Sequence, residues 1–101
     1  MDALVSILLP VFNGEKTLER TLASLEKQTY SNIELLACVD GSSDGSLEIL
    51  NEYARRNRNT CIYINTTNLG LGPTMNRLVQ ESSGEFCAVA EQDDVYPNYR
   101  I

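Results

Sequence analysis

Ile33-Glu34-Leu35-Leu36-Ala37-Cys38-Val39-Asp40-Gly41 is the stretch on which the fold turns. Apart from Glu34 it is apolar without alternation up to Asp40-Gly41, where a turn begins. A strand that shows water neither face reads this way, and such strands belong to parallel sheets covered by helices. Upstream, Val5 to Leu9 has the same character and is expected to stop at Pro10. Between the two, Glu15 to Gln28 carries Leu18, Leu22 and Leu25, the spacing of one helical face. Downstream, Ser46 to Asn57 is a second helix with Leu47, Leu50 and Tyr53-Ala54 turned inward. Cys61 to Ile64 is a short third strand, Thr74 to Ser82 a third helix, and Phe86 to Ala90 a fourth strand.

The pattern β-α-β-α-β-α-β defines an α/β domain over residues 1–101, with no internal repeat or linker. Right-handed crossovers lead to a Rossmann-like parallel sheet of order 3-2-1-4, with helices on both faces. In such sheets ligands sit beyond the carboxyl ends of the strands, where the chain order reverses.

Composition narrows the partners. Lys and Arg number 8 against 14 Asp and Glu, so the net charge of -6 opposes binding of a phosphate backbone, and no nucleic-acid partner is expected. No run approaches the ~20 apolar residues that span a bilayer. Met1-Asp2-Ala3 lacks the positive region of a signal peptide, which makes a cytoplasmic location the default. Asn65-Thr66-Thr67 fits the glycosylation sequon by chance on that reading. Cys38, Cys61 and Cys87 each fall in an expected strand and read as buried, reduced thiols. With no histidine in the chain, a Cys/His metal cluster is not expected.

Three loops should share the ligand rim: Pro10-Val11-Phe12-Asn13-Gly14, Asp40 to Gly45, and Glu91-Gln92-Asp93-Asp94. Adjacent carboxylates such as Asp93 and Asp94 repel unless solvent or a cation screens them, and hard oxygen ligands suit Mg²⁺ or Mn²⁺ shared with substrate phosphates. An acidic helix cap explains the same pair, and only its place on the rim favours a site. Asp44 and Ser46 read as caps of the second helix. Asp40, at the strand end, is placed to accept hydrogen bonds from a base or sugar. Phe12 either packs beneath the helices or offers its ring to a nucleobase. Gly70-Leu71-Gly72 lacks the third glycine of a dinucleotide fingerprint, since Met75 stands there, and it follows the wrong strand.

With these residues in view, the chain resembles the glycosyltransferase family 2 domain of GT-A fold. The matches are Val5-Ser6-Ile7 with Pro10-Val11-Phe12-Asn13, Ser24-Leu25 and Gln28-Thr29, and Val39 to Gly45. Asn68-Leu69-Gly70 with Asn76, Ser83 to Phe86, and Gln92-Asp93-Asp94 complete them. The resemblance implies an inverting transferase of polysaccharide biosynthesis that takes its sugar from a nucleotide, most often UDP, and acts on a glycan or lipid-linked acceptor, in the full protein at the cytoplasmic membrane face. Carried over by position, Pro10 and Phe12 contact the nucleobase, Asp40 hydrogen-bonds it, Asp93 reaches the ribose or diphosphate, and Asp94 ligates the metal. Val39 stands where the family often has a further aspartate, Phe12 where tyrosine is frequent, Glu91 where an aspartate commonly opens the acidic run, and Met75 where arginine is common.

The family's general base comes from the second half of its domain, which puts it beyond Ile101. The chain therefore reads as a donor-binding fragment, inactive alone, whose fourth strand presents an edge that favours self-association. Two other functions compete. A nucleotidyltransferase would need a glycine-rich basic loop after strand one, where Phe12 to Lys16 stands. A non-enzymatic receiver module would need acidic residues there and an aspartate after strand three, where Asn65 to Asn68 stands.

Overall fold

A computed structural model describes residues 3–27 and 32–90. Its elements run β1 (Val5–Val11), α1 (Glu15–Glu26), β2 (Ile33–Asp40), α2 (Ser46–Arg56), β3 (Thr60–Asn65), α3 (Leu71–Glu81) and β4 (Phe86–Val89). The four strands are parallel in the order β3-β2-β1-β4, the Rossmann-like order expected from the sequence. Element types and order match the sequence reading.

The two faces of the sheet are covered unequally. Ile7, Leu9 and Val11 of β1 and Leu35, Ala37 and Val39 of β2 meet Leu18, Leu22 and Leu25 of α1 and Leu50 and Tyr53 of α2. On the opposite face, among the described residues, Leu8, Leu36 and Cys38 meet α3 through Leu78, with Met75 and Tyr63 at the margin. Each fully buried leucine contributes roughly 1.5–3 kcal/mol, and among the described residues the α1/α2 side buries more apolar side chains.

Expected boundaries shift where backbone chemistry decides them. Strand β1 does not stop at Pro10 but continues to Val11, paired with Val39. Val5 N–H donates toward β2, at Asn32 O, whereas Leu8 O accepts from β4, at Ala90 N. Pro10 lies in the same phase as Leu8, so its missing donor faces the β4 side, beyond the last paired residues Leu8 and Val89. The β1–β2 ladder loses nothing. Helix α3 begins at Leu71 rather than Thr74, because Pro73 is tolerated in a first turn whose N–H groups have no intrahelical acceptor. Helix α1 ends at Glu26, with Lys27 as its cap, and Gln28, the last residue of its expected span, lies outside the described residues.

The cysteine expectation is corrected in part. Cys38 is buried on central β2, but Cys61 and Cys87 are exposed. They lie on the outer strands β3 and β4, whereas α3 packs mainly on the central strands β1 and β2. Phe86 and Val89 of the outer strand β4 are exposed too, Phe86 beside Val5 on the α1/α2 face and Val89 beside Leu8 on the α3 face.

At the amino ends of the strands, Ser6 Oγ donates to Glu34 Oε2 (2.5 Å) and accepts from Gly84 N (2.8 Å), and Ser83 N also donates to Glu34 Oε2 (2.7 Å). These bonds tie the start of β4 to β1 and β2. A Cβ at Gly84 would lie 2.6 Å from Ser6 Oγ, so the approach depends on glycine.

Candidate functional site

The carboxyl ends of β1, β2 and β3 deliver residues 12–14, 41–45 and 66–70 to one rim, and β4 points the chain toward it at Ala90. The first two loops are locked together. Asn13, in the left-handed region at φ 47°, donates its N–H to Ser42 Oγ and accepts from Ser43 N at its Oδ1, both at 2.9 Å. Gly14 N donates to the buried Ser46 Oγ at 3.0 Å. Asp44 Oδ2 accepts from Glu15 N at 3.1 Å, while Glu15 Oε1 accepts from Gly45 N at 2.6 Å. Each carboxylate thus caps the helix that starts in the other loop, where free N–H groups and the helix dipole favour negative charge. Asp44 Oδ1 also takes Ser46 N and Oγ, so the expected cap is present. Those Ser46 bonds, with the Glu15 N–H, hold the Asp44 carboxyl below its ordinary value against the effect of burial.

Phe12 leaves this clamp 45 % exposed and is not sunk beneath the helices. Pro10 is half-buried in β1. Asp40 is 5 % exposed, and its carboxylate faces the third loop: Oδ1 accepts from Leu69 N (2.8 Å) and Asn65 Nδ2 (3.0 Å), Oδ2 from Gly70 N (3.0 Å). Burial would raise its pKa. The bonds from Leu69, Asn65, Gly70 and Thr74 outweigh that and hold it below the ordinary carboxyl value. A direct bond from Asp40 to a base would have to be added to these or displace one.

Beside it, Gly41 adopts φ 68° and lies so close to the third loop that a Cβ would meet Asn68 N at 2.3 Å and the Thr67 carbonyl carbon at 2.6 Å. Val39 is in the α1/α2 core and offers the rim nothing polar. Asp93 and Asp94, with Glu91, lie outside the described residues. Among the described residues there is no group of three or more Cys, Asp or Glu able to hold a metal. The structure therefore brings together Phe12 and the loops around Asp40.

It adds Asn13, Asn65 and the Glu15–Asp44 exchange, which sequence reasoning did not single out. Asn13 stood in an expected rim loop and in the family-like run Pro10 to Asn13, but nothing local pointed to its bonds with Ser42 and Ser43. Asn65 carried no local signal, being the last residue of an outer strand.

A parallel sheet of this order with a ligand rim at its carboxyl ends is the frame of the GT-A glycosyltransferases. The family model for glycosyl transferase family 2 matches residues 6–101, and the chain belongs to that family. It is 40% identical over 96 residues to the putative glycosyltransferase EpsH of Bacillus subtilis, covering 94% of this chain and 28% of that protein. It is 35% identical over 95 residues to the Escherichia coli UDP-Glc:alpha-D-GlcNAc-diphosphoundecaprenol beta-1,3-glucosyltransferase WfgD, covering 94% of this chain and 37% of that one. Among solved structures, Staphylococcus aureus TarS 1-349 in complex with UDP-GlcNAc superposes with a TM-score of 0.87 at 30% identity, over 94% of this chain and 28% of that 1-349 chain. The Pyrobaculum calidifontis mannosyltransferase PcManGT, in complex with GDP-Man and Mn²⁺, has a TM-score of 0.89 at 19% identity and shares the fold, over 96% of this chain and 29% of its own. The chain thus spans about a quarter to two fifths of the length of these proteins.

Proposed function

We propose that the chain forms the donor-binding part of an inverting glycosyltransferase that takes a nucleoside-diphosphate sugar. Phe12 and Pro10 contact the nucleobase. Asp40 borders it and fixes the Leu69–Gly70 backbone beside it. Asp93 reaches the ribose or diphosphate, and Asp94 holds a divalent ion, Mg²⁺ or Mn²⁺. The observation that carries this reading is the family match, which runs unbroken from β1 through Asp94 on a sheet whose order gathers the loops after β1, β2 and β3.

The printed names of the relatives favour a UDP-sugar, since TarS was solved with UDP-GlcNAc and WfgD is named for UDP-Glc. The WfgD name also supports a lipid-linked acceptor, which would place the whole protein at the cytoplasmic membrane face. No described helix is long and apolar enough to cross a membrane. Its place in the family-like acidic run assigns the ion's protein contact to Asp94, a hard oxygen donor of the kind these ions take alongside phosphate oxygens. When bound, the ion neutralises the charge that builds on a departing diphosphate. No residue of the chain is assigned the general base, and transfer by these 101 residues alone is not expected.

Calorimetric titration of the chain with UDP and GDP, with Mn²⁺ and then with EDTA, tests the reading. Metal-dependent binding that Asp94→Ala removes is the expected result. Binding of neither nucleotide, or binding indifferent to both EDTA and Asp94→Ala, would sink it.

A further inference from the structure

We propose that Asn65 and Arg77 are positioning residues of the donor site, holding Asp40 and, through it, the Leu69–Gly70 backbone at the rim. The inference rests on the donor-site reading above and extends it to two residues remote from the nucleotide contacts.

The case is a continuous chain of hydrogen bonds across the α3 face of the sheet. From α3, Arg77 Nη1 donates to Asn65 Oδ1 at 2.8 Å and to Ile64 O at 3.0 Å, and its guanidinium carbon lies 5.3 Å from the centre of the Tyr63 ring. Asn65, 7 % exposed at the end of β3, donates from Nδ2 to Asp40 Oδ1 at 3.0 Å and to Thr74 Oγ1 at 3.1 Å. Asp40 in turn accepts the Leu69 and Gly70 amides.

The direction of this chain is fixed by chemistry. A guanidinium only donates and a carboxylate only accepts, so the Asn65 amide has one orientation that satisfies both neighbours. Turned over, it would set donor against donor at Arg77 and acceptor against acceptor at Asp40. Both Asn65 amide hydrogens and its oxygen are used, and the network has no slack in which the amide can turn.

Its effect reaches the rim because the third loop lies directly on Gly41. There is no room there for a Cβ, so the end of β2 and residues 67–70 are in direct backbone contact. The same β2–α2 loop is clamped to Asn13, next to Phe12. Arg77 is therefore coupled to the nucleotide wall without touching it.

Amide hydrogen exchange by NMR on the full chain, paired with calorimetry using UDP or GDP and Mn²⁺, tests the assignment. Arg77→Met keeps the length of the side chain over Tyr63 and removes its donors. The expected result is exchange at Leu69 and Gly70 faster by about tenfold, with nucleotide Kd raised by about tenfold, on the scale of one lost charge-assisted bond. Helix α2 amides should keep their rates. Arg77→Lys should fall between, since an ammonium restores the charge but not the planar fork. Unchanged exchange at Leu69 and Gly70, faster exchange with an unchanged Kd, or acceleration spread equally over α2 would each overturn the proposal. Absence of metal-dependent binding in the unsubstituted chain would instead overturn the donor-site reading, and the positioning role with it.

Discussion

Replacing Asp40 with asparagine changes one oxygen to an amide group and removes a buried charge, with little change in volume. In the structure three donors converge on this carboxylate, at 2.8, 3.0 and 3.0 Å, from Leu69 N, Asn65 Nδ2 and Gly70 N. An asparagine oxygen in the place of Oδ1 keeps Leu69 and Asn65 but weakens both bonds from charged to neutral, about 0.5–1 kcal/mol each. Its amide then faces Gly70 N as donor against donor. Gly70 N retains Asn68 Oδ1 at 2.9 Å, which limits that loss to about 1 kcal/mol. The sum is about 2–3 kcal/mol, a large share of the roughly 5–15 kcal/mol that holds an ordinary domain.

The effect has a pH signature. Asp40 is depressed below 3.8 in the folded state, so its contribution is present above that value and is lost as pH falls through the folded pKa. Urea denaturation of both chains between pH 7 and pH 3 should show the full gap at pH 7 and a narrowing gap below about pH 4. No loss at pH 7, or a gap constant across the range, would refute the assignment of Asp40 as an ionised anchor of the third loop.

Gly41→Ala should cost more than about 3 kcal/mol by denaturation, since it adds an atom 2.3 Å from Asn68 N at a positive φ. A loss under 1 kcal/mol would mean the loop is free to move away. A thiol reagent should modify Cys61 and Cys87 in the native protein and reach Cys38 only on unfolding, because Cys38 is buried and burial raises its pKa. Rapid native reaction of all three thiols would contradict that burial. Among the described residues β4 pairs only with β1, and its outer edge should promote self-association, read as a sedimentation coefficient that rises with concentration. A strictly monomeric species throughout would remove that expectation.

Hydrophobic periodicity indicated the seven elements and the parallel sheet, because burial on two faces is a property a linear pattern carries, and the order of the strands came from the Rossmann-like arrangement such elements take. The loops that meet at the rim followed from that order, and the family resemblance supplied roles for Phe12 and Asp40. The sequence did not tell which cysteines are buried, since an outer strand and a central strand carry similar residues and differ only in whether a helix lies over them. Nor did it tell that Pro10 leaves β1 intact, which depends on the phase of the ladder. The partners of Asp40 were hidden for the same reason: Asn65 and Leu69 lie 25 and 29 residues away and reach it only through the β2–β3 register and the turn over Gly41. A run of residues records how each is buried. Which polar group meets which is decided only when strands align, and the tertiary structure alone made Asp40 the anchor of a loop.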